Sequence, residues 1–92
     1  MRLEWDEAKR QTAMTERGLD FADAAIVFSG RCVTLEDVRQ DYGEHRHVTF
    51  GELAGRVVVV AWTQRSETIR IISMRKANAR EKKLYREQLG EG

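Results

Sequence analysis

Cysteine occurs once in the 92 residues, at Cys32. No disulfide can close within the chain, no paired Cys or Cys/His spacing suggests a structural zinc site, and a reducing compartment fits best. Long hydrophobic runs are missing too. The longest wholly apolar stretch, Val57 to Trp62, is far below the roughly 18–20 residues of a membrane span, and the N-terminus carries no basic-then-apolar signal pattern. The expectation is a soluble, cytoplasmic protein without membrane contact. No glycine-rich phosphate loop precedes a helix, no HExxH or carboxylate cluster marks a metal site, and Ser73 has no nucleophile elbow around it. Acyl transfer and metallohydrolysis are therefore poor fits, and neither a metal nor another cofactor is expected. Repeats, linkers and low-complexity segments are also lacking, so residues 1–92 are expected to form one domain. At this size folding hides only about 60–65% of the unfolded surface, and a partner chain would help so modest a core.

Surplus charge is small overall but unevenly placed. The net charge is +1, yet Met1 to Gln64 holds 8 Lys/Arg against 11 Asp/Glu, while Arg65 to Gly92 holds 8 against 4. The basic last third suggests an anionic partner.

The pattern of elements is α+β. A short strand is expected at Leu3 to Trp5, then a helix capped by Asp6 and stopped at Gly18. A second helix follows Asp20, with Phe21, Ala24, Ala25 and Phe28 at helical spacing as its core stripe. From Cys32 the period shifts toward two. Cys32 to Val38, His45 to Phe50, Arg56 to Thr63 and Thr68 to Arg75 read as four strands of a mainly antiparallel sheet, joined by turn-prone segments that include Gly51 to Gly55. Val57 to Val60 are apolar on both faces, as in a central strand covered on each side. Ile69, Ile71 and Ile72 are expected to supply core from the last strand. A final helix opens at Asn78, with Glu81 completing a capping-box pair, and runs to about Leu89.

Four stretches carry a resemblance: "EWDEAK" at Glu4 to Lys9, "GLDFADAAIVF" at Gly18 to Phe28, "GEHRHVTFG" at Gly43 to Gly51, and "RIISMRKANAREKKLY" at Arg70 to Tyr85. In this order, over nearly the whole chain, they resemble the BrnT family, toxins of type II toxin-antitoxin pairs. The resemblance implies a RelE-like fold, endoribonuclease activity that inhibits translation, and neutralisation by a BrnA-like antitoxin. That antitoxin would be a ribbon-helix-helix protein, so DNA contact would be indirect, through a hetero-oligomer. The chain departs from the family pattern at Ala13 and Arg17, where an Asn and a His are usual.

The chemistry can also be approached from residue types. Cutting RNA without a metal requires the 2′-hydroxyl to lose its proton, the leaving 5′-oxygen to gain one, and the charge growing on the phosphorus oxygens to be stabilised. Arginine suits the last task because its fork is permanently charged and matches phosphate geometry. Arg46, Arg75 and Arg80 are the catalytic candidates, with Arg70 and Lys76 as RNA contacts, because all lie on strands or at the last strand-to-helix junction. Lys82, Lys83 and Arg86 read as a solvated helical face. His45 and His47 are the only side chains whose ordinary pKa suits acid–base work near neutrality. Their two-residue spacing sends both to one strand face, His47 as a catalytic candidate and His45 as an RNA contact; both can equally be surface residues. Tyr85 either stacks on a base or packs onto the sheet. Two functional classes remain open, an endoribonuclease toxin and a non-catalytic relative that serves as a binding module or co-repressor with its antitoxin.

Overall fold

The computed structural model describes residues 2–90. Strand β1 (Arg2–Trp5) leads into helix α1 (Glu7–Arg17). Asp6 caps that helix by accepting from the Lys9 N–H, and Gly18 closes it in the left-handed conformation, φ 67°. The expected second helix is split. Phe21–Asp23 form a tight turn in which Asp20 accepts from the Ala22 N–H, and only then does helix α2 (Ala24–Ser29) begin. A turn of three residues sets the buried spacing at Phe21, Ala24 and Val27. Ala25, expected in the stripe, is exposed, and Phe28 is half-buried.

The strands β2 (Cys32–Asp37), β3 (Arg46–Leu53), β4 (Arg56–Arg65) and β5 (Thr68–Lys76) follow, then helix α3 (Ala79–Gln88). The five strands form one sheet in the order β1-β5-β4-β3-β2, with β1 parallel to β5 and the other pairs antiparallel. β3 runs on past Phe50 to a tight Ala54-Gly55 turn, so Gly51 belongs to a strand rather than to the expected connector. Its lack of a side chain lets α2 pack close. A Cβ at Gly51 would lie 2.7 Å from Cγ1 of Val27. His45 falls just outside β3.

The sheet is the middle of three layers. β4 occupies its centre and divides the Val57–Val60 run between two cores. Val58 and Val60 join Ala13, Phe21, Ala24 and Val27 beneath α1 and α2, whereas Val57 and Val59 join Phe50, Ala77 and Tyr85 beneath α3. Asn78 and Glu81 form a complete capping box that starts α3 immediately after β5. No helix among the described residues is long and apolar enough to cross a membrane.

Candidate nucleic-acid interface

Strict alternation along β5 would put Arg70 and Arg75 on opposite faces of the sheet. A bulge prevents this. Ala61 pairs with Ser73 but Trp62 pairs with Ile71, which leaves Ile72 as the extra residue. Ile71 and Met74 consequently share the α1/α2 face, and Arg70, Ser73 and Arg75 share the α3 face. Ile72, expected in the core, instead lines a groove of about 420 Å³ beside α1.

The corrected register aligns one row of side chains across all five strands: Asp37, Arg46, Thr63, Arg70 and Glu4. Thr63 is buried and its hydroxyl donates to the His45 carbonyl at 2.6 Å. The next row toward α3 is Leu35, Val48, Ala61 and Ser73, a largely apolar strip. Beyond it stands Arg75, across from Val59 and at the edge of α3. The α3 face thus presents two guanidinium groups on one side of an apolar strip and a third on the other.

Carboxylates hold each of these arginines. Arg70 reaches Glu4 at 3.1 Å. Arg46 reaches Glu44 at 3.3 Å and lies over the Tyr42 ring at 4.1 Å from its centroid. Arg75 makes a two-pronged contact with Glu81, 2.8 Å at each oxygen. Glu81 also accepts from the Asn78 N–H, so one carboxylate both caps α3 and aims Arg75. These bonds from Arg75, joined by the Asn78 N–H, hold the Glu81 carboxyl below its usual range and raise Arg75 in turn. Arg39 belongs to the same group. It lines a groove of about 230 Å³ with Arg75 and Glu81. Bonds from the Arg39 guanidinium and N–H and from the Tyr42 hydroxyl hold the Asp37 carboxyl down to about 2.

The other expected site residues lie elsewhere. Arg80 is exposed on the first turn of α3, and Lys76 at the end of β5 lines a depression with Lys82 and Arg86. His47 is on the face opposite Arg46. Its ring stacks on Trp62 at 4.5 Å, and its buried Nδ1 has no hydrogen-bond partner among the described residues. His45 is open to solvent with Nδ1 3.4 Å from Glu36, the neighbour of His47 across β2. The structure therefore separates His47 from the arginine row, whereas His45 lines a groove with Asp37, Tyr42 and Arg46 at the end of that row. Tyr85 is corrected as well: it is 2% exposed, with its hydroxyl donating to the Arg31 carbonyl, and no base can stack on a ring inside the core.

Sequence reading missed Arg39 and the second role of Glu81. The Asp37/Arg39 spacing was the visible signal for the first, but only the fold brings Arg39 up to α3. The two departures from the resembled pattern are on the far side of the sheet. Ala13 is a core residue under α1, and Arg17 donates to the Met74 carbonyl at 3.4 Å. Among the described residues no three His, Cys, Asp or Glu side chains gather as a metal site would require.

No curated protein matches the chain. A family model does, that of the ribonuclease toxin BrnT of type II toxin-antitoxin systems, over residues 5–81. This span holds β1 at Trp5, every later strand and the start of α3 with Glu81, so the chain belongs to the BrnT family of ribonuclease toxins.

Proposed function

We propose that this chain is a metal-independent endoribonuclease that cuts RNA and thereby inhibits translation, acting in the cytoplasm on the α3 face of a RelE-like sheet. The observation that carries the reading is the bulge at Ile72, which turns Arg70 to the face that Arg46 and Arg75 already share around an apolar strip. The strip suits a nucleobase laid flat between cations that hold the flanking phosphates. The 2′-oxygen attacks the adjacent phosphorus as its proton passes to solvent, and the 5′-oxygen leaves with a proton taken from solvent, which closes a 2′,3′-cyclic phosphate on one product strand. Arg75, aimed by Glu81, neutralises the charge that grows on the non-bridging oxygens, and Arg46 across the strip holds the neighbouring phosphate. Arg70 holds the strand, and Arg80 on the exposed first turn of α3 adds attraction. A phosphate entering the site takes the place of Glu81 or Glu44, an exchange made easy because partly exposed ion pairs contribute only up to about 1 kcal/mol.

Family membership implies an antitoxin. We assign that role to a BrnA-like ribbon-helix-helix protein, through which the pair reaches DNA. The alternative, a non-catalytic fold kept for assembly or co-repression, draws on the burial of the His47 ring against Trp62, away from the arginine face.

Purified chain, free of antitoxin, should cleave RNA in EDTA, and Arg75→Ala and Arg46→Ala should each lower the rate. Cleavage that survives both substitutions would remove the arginine face from the mechanism. No cleavage by the folded chain, and no growth arrest on expression in bacteria, would favour the non-catalytic reading.

A further inference from the structure

On the flank of α3 away from Arg75, a depression of about 160 Å³ is walled by Arg56, Lys76, Lys82 and Arg86 over a floor that includes Val57 and Ala77. Four cations from three elements meet there: the start of β4, the end of β5 and one face of α3. Lys82 and Arg86 are one helical turn apart, and the tight Ala54-Gly55 turn delivers Arg56 to them. Among the described residues none of the four has an ion-pair partner. Of the carboxylates around α3, Glu81 is held by Arg75 and Asp37 by Arg39, while Glu87 next to Arg86 and Glu52 across from Val57 form no ion pair with these four cations. Gathering like charges without a counterion is unfavourable, and an anion placed among them relieves the repulsion.

We infer that this depression is a second phosphate site, which binds the RNA backbone at a nucleotide outside the cleaved bond. The inference rests on the RNA-cleaving reading of the Arg75 face and deepens it. The shape favours phosphate over an acidic protein segment. The floor is small, with neither an aromatic platform for a base nor a long apolar channel for a peptide, and the lining cations come from three elements, so several can share one anion's oxygens. Consecutive residues Glu81 and Lys82 point about 100° apart on a helix. One therefore serves the Arg75 groove and the other this pocket, and RNA that passes α3 meets both.

The test is direct binding of a 2′-O-methyl RNA oligonucleotide, which cannot be cut, followed by fluorescence anisotropy across a series of salt concentrations. Replacing Lys82→Gln together with Arg86→Gln should make the salt slope shallower by about 0.7, one phosphate contact on a single strand, and weaken binding about fivefold at 0.1 M salt. The charge-preserving pair Lys82→Arg with Arg86→Lys should restore the slope. An unchanged slope in the Gln variant, with circular dichroism like that of the parent, overturns the inference. So does a variant that keeps its RNA slope but loses affinity for poly-glutamate, which assigns the pocket to an acidic protein. Cleavage plays no part in this readout. Failure of the catalytic reading would leave the RNA slope difference in place, whereas failure of the inference would remove that difference and leave cleavage intact.

Discussion

The groove at Arg75 and the pocket at Lys82 lie on two flanks of α3 and are built from the same kinds of side chain, yet their charges are handled in opposite ways. In the groove, Arg75 is clasped by Glu81 and Arg39 by Asp37. In the pocket, four cations line the wall without an ion pair among the described residues. A guanidinium held at both prongs loses little freedom when a phosphate replaces its partner, so it can be aimed at a particular oxygen. Unpaired cations give attraction that reaches about 8–10 Å at ordinary ionic strength but little direction. Positioning belongs to the first flank and capture to the second.

The largest way to break this contrast is to remove the wedge between the two flanks. Tyr85→Ala should cost about 3–5 kcal/mol, a large share of the roughly 5–15 kcal/mol that stabilises a typical domain. Urea unfolding should show it, and RNA binding should fall along with stability because both flanks depend on a docked α3. Tyr85→Phe keeps the ring and loses only the bond to the Arg31 carbonyl, for about 1 kcal/mol.

Arg75→Ala separates the flanks by chemistry. Single-turnover cleavage should slow about 10²- to 10³-fold, with a far smaller change in the affinity for uncleavable RNA. The Lys82→Gln, Arg86→Gln pair should show the reverse balance, with its loss in KM. If both variants moved kcat and KM together, the division of labour would not hold.

A smaller effect is expected from Asn78→Ala, which removes one half of the capping box. It should lower stability by about 1 kcal/mol and the melting temperature by roughly 4–8 °C. Activity should fall further than that loss explains, because Glu81 would lose the cap that steadies it beneath Arg75.

The smallest effect is one of pH, to which the paired flank contributes and the pocket does not. Folding lowers the Asp37 carboxyl from 3.8 to about 2, and lowers Glu81 as well. A depressed carboxylate stabilises the fold at pH above its unfolded value and ceases to do so as pH falls through its folded value. The urea midpoint should therefore decline from about pH 4 toward 2. Asp37→Asn with Glu81→Gln should make this decline shallower, leaving the part due to Asp20, which Arg10 holds down, whereas the Lys82→Gln, Arg86→Gln pair should leave its shape alone, since no carboxylate lines that pocket.

Much of the architecture was legible because it rests on local rules. Asp6, Gly18, Asn78 and Glu81 mark helix ends through hydrogen bonds to backbone groups within a few residues. The Val57–Val60 run could only be a strand covered on both faces, and it is. The second helix was harder to read, because Asp20 caps a three-residue turn and moves the buried stripe from Ala25 to Val27. At the candidate site the types of residue were legible and their company was not. Lys82 and Arg86 looked like a solvated face until the Ala54-Gly55 turn brought Arg56 beside them. Tyr85 could have stacked on a base or packed onto the sheet, and only the docking of α3 shows its ring in the core.

By itself the sequence determined the element order, the α+β class, the sheet's central strand and a basic C-terminal third. Each follows from periodicity, caps and composition, which act over a few residues. Tertiary structure decided which charges share a surface. One extra residue at Ile72 reverses the facing of everything before it on β5 and brings Arg70 round to the face of Arg75. A bulge depends on what both neighbouring strands and the layers above and below will accept, and no stretch of the chain contains that information alone.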